Sequence, residues 1–267
     1  LTGLILILSP IILAIRLLKK KEDPKRFKEK FCFFSEKKNN GKLIWFHGAS
    51  VGEILSVVPL IENYEKDKSI NQILVTSSTL SSSKILKKFR FKKTVHQFYP
   101  IDHFFFTKKF LEYWKPNLAI FIDSEIWPSM FNKLDHKKIS LILLNARITK
   151  KTFKRWMTLR YFARSIFNKI TIAYPQNLET AQYLKILKAN NINNLGNLKF
   201  AENFEENLER INVYLKKALK KKKIWVASST HRSEEVFCAK AHIQLRKKIK
   251  NLITIIIPRH IHRSEEI

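Results

Sequence analysis

The sequence predicts an α/β protein: a doubly wound parallel sheet comes first, and a second α/β unit opens near the end. Three observations carry that prediction. Short, continuously apolar runs recur along the chain, as in strands buried on both faces. Amphipathic stretches of helical length separate them, as crossovers between parallel strands require. Polar and charged residues fall just after the apolar runs, at the strand ends where open parallel sheets bind ligands.

The first element is Leu1–Ile15, which carries no charge and is followed by Arg16 and Lys19–Lys21. A spanning helix needs about 20 apolar residues, whereas this segment is shorter and contains Pro10. It also lacks the basic leader and small-residue cleavage site of a signal peptide. Lysines directly after an apolar run place that side in the cytoplasm. Residues 1–21 therefore read as a membrane anchor helix, spanning or interfacial, with the remainder cytoplasmic. A buried helix of the first domain is the alternative.

Strands are expected at 43–47 (LIWFH), 73–77 (ILVTS), 94–98 (TVHQF), 118–122 (LAIFI), 139–144 (ISLILL) and 170–174 (ITIAY). Helices are expected near 53–65, 80–90, 104–114, 127–134, 153–167 and 177–187. Together they form a first domain over residues 22–200. "NFEENLERINVYLKKALKKK" then reads as a polar connecting helix. Strand 224–228 (IWVAS), a helix near 233–247 and strand 252–257 (LITIII) open a second domain within 201–267. Two strands are too few to close a covered sheet, so the chain is expected to stop inside that domain.

Composition narrows the function classes. The 267 residues and 45% hydrophobic content support sizeable cores. The net charge of +29 favours anionic partners. It is mostly lysine, however, and accompanies abundant isoleucine and asparagine and only 5 glycines, the bias of an AT-rich genome. Aromatics interleaved with basic residues, the pattern of single-strand binding, are absent, so no nucleic-acid partner is expected. Cys32 and Cys238 lie too far apart in sequence to imply a disulfide framework.

The loops after the strands hold the candidate chemistry: "HGASVGE" (47–53), "SSTLSSS" (77–83), "PIDH" (100–103), "DSEIWP" (123–128), "NARIT" (145–149), "SSTHRSEE" (228–235) and "PRH" (258–260). Ser50-x-x-Glu53 fits a capping box, in which the glutamate only closes a helix start. Alternatively Glu53 faces a cleft and takes a proton from a bound hydroxyl. A helix N-terminus lowers its pKa, while apolar neighbours or a second carboxylate raise it. Asp123 and Glu125 supply that second acidic loop, although "SEIWP" equally suits a first helical turn. Ser50, Gly52, Asp123 and Arg147 are the candidate substrate contacts of the first domain. In the second, the arginine fork of Arg259 and the hydroxyl-rich Ser229, Thr230 and His231 suit a phosphate. No Walker loop or GxGxxG occurs, and the histidines lack metal-ligand spacing, so neither a cofactor nor a metal is expected.

These loops resemble, in order and over nearly the whole chain, the 3-deoxy-D-manno-octulosonic acid (Kdo) transferase family of lipopolysaccharide assembly. The matching stretches are "KEDPKRFKEKF", "WFHGASVGE", "TSSTLSSSKIL", "QFYPIDH", "WKPNLAIFIDSEIWP", "LLNARIT", "LGNLKF", "ASSTHRSEE" and "IIPRH". The resemblance implies a GT-B glycosyltransferase with two Rossmann-like domains, the N-terminal one for a lipid A precursor and the C-terminal one for the donor CMP-Kdo. It implies metal-independent, inverting transfer of Kdo to the 6′-hydroxyl of that acceptor, at the cytoplasmic face of the inner membrane. Glu53 matches the family's proposed base and Glu125 the second acid. Arg259 would bind the CMP phosphate, with Ser229, Thr230 and His231 lining the donor side. Asn197 and Lys199 would fall at the hinge.

Two departures stand out: Ser233 replaces an expected glycine, and the aspartate of "DSE" stands where glutamate is common. Other donor-binding motifs of the family lie beyond Ile267, so the chain alone is expected to be inactive. The competing readings are another GT-B nucleotide-sugar enzyme and a basic, non-catalytic binder of nucleic acid or a membrane surface.

Overall fold

Six parallel strands form the first sheet in the computed structural model, which describes residues 2–19, 21–196, 198, 217–260 and 263–267. The chain divides into two units, Leu1–Glu202 and Asn203–Ile267. The expected hinge residues Asn197 and Lys199, and most of the expected connecting helix, lie outside the described residues.

In the first unit, helix α1 (Thr2–Leu18) and a 3₁₀ turn (Phe27–Phe31) precede β1 (Leu43–His47), α2 (Val51–Lys66) and β2 (Gln72–Ser77). Then come α3 (Leu80–Leu86), β3 (Thr94–Phe98), α4 (Phe104–Trp114), β4 (Leu118–Ile122) and α5 (Pro128–His136). The unit continues with β5 (Ser140–Ala146), α6 (Lys150–Thr158), α7 (Arg160–Phe167), β6 (Ile172–Pro175) and α8 (Leu178–Ile186). The sheet order is β3-β2-β1-β4-β5-β6, so the winding reverses between β1 and β4. That pair forms the topological switch point, the place where such sheets bind ligands.

Side-chain alternation puts a core on each face. Leu43 and Trp45 of β1 pack with Phe110, Trp114, Phe121 and Phe131 on one face. Ile44 and Phe46 pack with Ile54, Val57 and Ile61 of α2 on the other. Both faces being covered explains why the strands read as unbroken apolar runs.

Two differences from the sequence reading have local causes. The single helix expected at 153–167 is two, because Leu159 leaves helical geometry at φ −120°, ψ 58°. Pro10, read as an interruption, lies inside α1.

The segment before β1 is tied down by charge. Glu22 accepts Lys30 Nζ at 2.7 Å and also pairs with Arg16 of α1. Glu29, buried in the 3₁₀ turn, takes Arg26 Nε at 2.6 Å and the Ser35 hydroxyl at 2.6 Å on one oxygen. Its other oxygen takes Arg26 Nη2 at 3.0 Å and the Phe98 amide at 2.8 Å.

The second unit contains β7 (Lys223–Thr230), α9 (Glu234–Lys248) and β8 (Leu252–Pro258). Its two strands pair in parallel.

Candidate functional site

The acidic residues of the first unit meet because β1 and β4 are hydrogen-bonded neighbours. Past β1 the chain turns at Gly48, where an added Cβ would lie 3.1 Å from Glu53 Cβ and 3.2 Å from Ile122 Cδ1. Such contacts are tighter than ordinary van der Waals packing, so a side chain here would push on Glu53 and Ile122, and Gly48 lets the loop pass close over the end of β4. Gly52, in contrast, has open space around it. Ser82 Oγ of α3 donates to Ala49 O at 3.0 Å and braces the loop from the side.

Glu53 closes the helix start as in a capping box, except that it reaches back to the Ala49 amide, one residue before the Ser50 N-cap. Ser50 Oγ accepts the Glu53 amide at 3.3 Å and donates to Glu53 Oε1 at 2.7 Å, while the Ala49 amide donates to Oε2 at 2.7 Å. The carboxyl is nonetheless held above its ordinary pKa. Burial raises it, the Ser50 and Ala49 donors pull it down, and the nearby Glu125 and Asp123 charges raise it further. The cap and a carboxyl held above its ordinary pKa therefore coexist in one side chain.

Asp123, the first residue past β4, has φ 61°, and Asn145 in β5 has φ 52°. Both lie in the left-handed region that Asp and Asn tolerate better than other side chains. This kink sends "SEIW" across the sheet edge. Ser124 Oγ bonds both Asp123 Oδ1, at 2.7 Å, and Arg147 O, at 2.8 Å. Arg147 is joined to Asp123 through its amide at 3.2 Å, and its side chain is exposed.

Glu125 turns inward. Its Oε2 lies 3.1 Å from Nε2 of buried His47 and accepts Trp127 Nε1 at 2.8 Å. Tyr99 stacks on the His47 ring at a centroid distance of 3.9 Å. Burial is the main reason the His47 pKa is lowered, against the raising effect of Glu125.

Ser50, Gly52, Glu53, Asp123, Glu125 and Arg147 thus gather at one sheet edge. In the edge loop "PIDH", Asp102 accepts the Ser129 and Met130 amides at the start of α5, and His103 caps α4. In "SSTLSSS", Thr79 caps α3. The sequence reading placed His47 and Trp127 in candidate loops without giving either a role, and did not single out Thr76 or Tyr99. His47 and Thr76 lie in core strands, Tyr99 follows β3 and Trp127 precedes α5; the pairing of β1 with β2 and β4 brings His47 to Thr76 and to Glu125.

In the second unit Ser229 and Thr230 end β7, His231 follows it, and Arg259 follows β8, where its amide donates to Thr230 O at 3.0 Å. The four belong to the carboxyl edge of that two-stranded sheet. Arg263, outside the candidate set, forks onto Glu235 at 3.0 and 3.3 Å. Ser233 has φ 78° and makes no side-chain cap bond, which explains why glycine suits the position. Ser233→Gly is therefore expected to stabilise this unit by about 0.5–1 kcal/mol. Denaturant unfolding of the two forms measures the difference.

The first unit is a Rossmann-like α/β domain with carboxylates at its switch point. Its sequence and fold both have relatives. The chain belongs to the family described as 3-deoxy-D-manno-octulosonic-acid transferase (kdotransferase), whose profile matches residues 25–202. The 3-deoxy-D-manno-octulosonic acid transferase of Rickettsia bellii is 39% identical over 258 residues, covering 96% of this chain and 61% of the relative. The Rickettsia felis protein of that name is 40% identical over 229 residues, 84% and 48% of the two chains. That of Haemophilus influenzae is 28% identical over 269 residues, 98% and 63%. The chain thus spans between 48% and 63% of these three relatives' lengths. In fold it resembles the UDP-GlcNAc 2-epimerase from Neisseria meningitidis, at TM-score 0.56 and 13% identity over 84% of this chain and 67% of that one.

Proposed function

We propose that this chain carries the acceptor-binding domain and the start of the donor domain of a GT-B Kdo transferase. The reaction is transfer of Kdo from CMP-Kdo to the 6′-hydroxyl of a lipid A precursor, lipid IVA. Family membership over residues 25–202 is the observation that carries the reading. The raised Glu53 carboxyl beside Glu125 and Asp123 supports its chemistry.

Glu53 takes the proton of the acceptor hydroxyl as that oxygen bonds to the anomeric carbon of Kdo. The bond from that carbon to the CMP phosphate oxygen breaks, and its electron pair leaves with CMP. Attack from the face opposite CMP inverts the centre in one displacement. Glu125 orients the acceptor, as Ser50, Gly52, Asp123 and Arg147 do around it. Arg259, with Ser229, Thr230 and His231, holds the donor. An apolar cavity of about 580 Å³ lined by Ile12, Leu13, Tyr99, Trp127 and Phe162 adjoins Glu125 through Trp127 and suits the acceptor's acyl chains.

The test uses the protein extended to its relatives' length, with CMP-Kdo and lipid IVA. Appearance of a Kdo-bearing lipid is expected. Consumption of a uridine-nucleotide sugar with none of CMP-Kdo overturns the reading in favour of another nucleotide-sugar enzyme.

The membrane contact proposed is interfacial, at the cytoplasmic face of the inner membrane. No described helix is long and apolar enough to cross a membrane. On α1, Leu13 is buried against the domain, while Ile11, Ile12, Ile15 and Leu18 are exposed. Lysines beside such a surface add about 1 kcal/mol each toward an acidic leaflet. The double variant Ile11→Glu/Ile15→Glu is expected to lose most binding to anionic phospholipid vesicles in co-sedimentation. Unchanged binding would remove α1 from the contact.

A further inference from the structure

The surroundings of Glu125 fix more than its position. Trp45 Nε1–H donates to Thr76 Oγ1 at 2.8 Å, deep in the core. The Thr76 hydroxyl has one proton and two acceptors in reach, His47 Nδ1 at 2.9 Å and Phe46 O at 3.4 Å. The shorter contact takes it. The Thr76 carbonyl lies 3.2 Å from Nδ1 and also accepts the Gly48 amide at 3.1 Å; it keeps a second lone pair, but the hydroxyl at 2.9 Å is the shorter partner of Nδ1. Nδ1 is then an acceptor, and the single proton of the neutral ring sits on Nε2, facing Glu125 Oε2 at 3.1 Å.

The opposite tautomer requires a protonated Glu125 donating to Nε2. A distance of 3.1 Å is ordinary for N–H···O and long for a carboxyl O–H donor. It also turns the Thr76 proton to the carbonyl at 3.4 Å. The hydrogen bonds therefore run one way, from Trp45 through Thr76 and, in parallel, from His47 and Trp127 onto one oxygen of Glu125. Oε1 has no hydrogen bond among the described residues, and the Glu125 side chain is 16% exposed.

We propose that His47, locked as its Nε2–H tautomer by Thr76, is a positioning residue that pins Glu125 Oε2 and leaves Oε1 to accept a hydroxyl of the sugar acceptor. The role rests on the transferase reading, but the tautomer does not. Glu125 is the charged group hydrogen-bonded to the ring, and Tyr99, Phe121 and Trp127 are the aromatic rings around it. A neutral ring walled in this way holds one tautomer while the solvent pH changes.

Nitrogen-15 NMR of the histidine side chains in this chain reads the tautomer directly. Wild type is expected to give a protonated Nε2 and an unprotonated Nδ1 for His47 between about pH 5.5 and pH 8. Thr76→Val leaves only the backbone carbonyl of that residue beside Nδ1 and is expected to bring in the Nδ1–H form, with Glu125 protonated against Nε2. A wild-type Nδ1–H ring, an imidazolium, or a Thr76→Val spectrum identical to wild type overturns the lock.

In the protein extended to its relatives' length, His47→Leu is expected to lower kcat by roughly 10- to 100-fold, the loss of a hydrogen bond to a charged acceptor. KM for CMP-Kdo should stay near the wild-type value. His47→Gln, whose amide N–H reaches toward the same carboxylate, should recover most of that loss. Equal kcat for the Leu and Gln variants overturns the positioning role. If wild type transfers no Kdo at all, the transferase reading fails, and the NMR result still decides the tautomer.

Discussion

Glu53→Gln is expected to lower the rate of Kdo transfer by about 10²–10⁴-fold, the range for removing a positioned general base. Glutamine keeps the shape of the capping box: its carbonyl still accepts the Ala49 amide, and its NH₂ can donate to Ser50 Oγ. The helix start should therefore survive, which separates the cap from the base in a single substitution. A variant that retains near-wild-type turnover would leave Glu53 with the capping role alone.

The pH dependence follows from the same group. Burial and the Glu125 and Asp123 charges lift the Glu53 pKa, so the rate should rise with pH through a pKa higher than that of an ordinary glutamate. Stability runs the other way. A carboxyl whose folded pKa is raised contributes stability below its unfolded pKa and loses it as pH rises through the folded one. Relative to Glu53→Gln, wild type should thus lose stability on going from about pH 4 to neutral. Urea unfolding of both forms across that interval gives the difference.

The elements were legible because the sheet is covered on both faces. Strands such as Leu43–His47 and Leu118–Ile122 are uninterrupted apolar runs, and their limits coincide with the expected ones. The splitting of 153–167 was not legible, since no proline or glycine marks Leu159. Glu53 and Glu125 could be listed as candidates from their positions after strands. Their proximity could not, because it depends on β1 pairing with β4 across three intervening helices and two strands. His47 and Thr76 were least visible. Each sits at the end of an apolar run, and only strand register places Thr76 beside His47.

Glu29→Leu is expected to cost about 3–5 kcal/mol of stability, the scale for removing one partner of a buried ion pair. The carboxylate receives four hydrogen bonds, two from Arg26 and one each from Ser35 and Phe98. Leucine would leave the Arg26 guanidinium, packed 5.1 Å from the centre of the Phe98 ring, without its counter-charge. It would also orphan the buried Phe98 amide at the end of β3. In a chain of this size such a loss lowers Tm by roughly 6–20 °C. The consequence extends toward the site, because Tyr99, the next residue after Phe98, stacks on His47. Near-ultraviolet circular dichroism should therefore change along with Tm. A fall in stability below about 1 kcal/mol would mean that Arg26 and the Phe98 amide find water or other partners, as exposed groups do. The 3₁₀ turn would then be an attachment to the domain and not one of its supports.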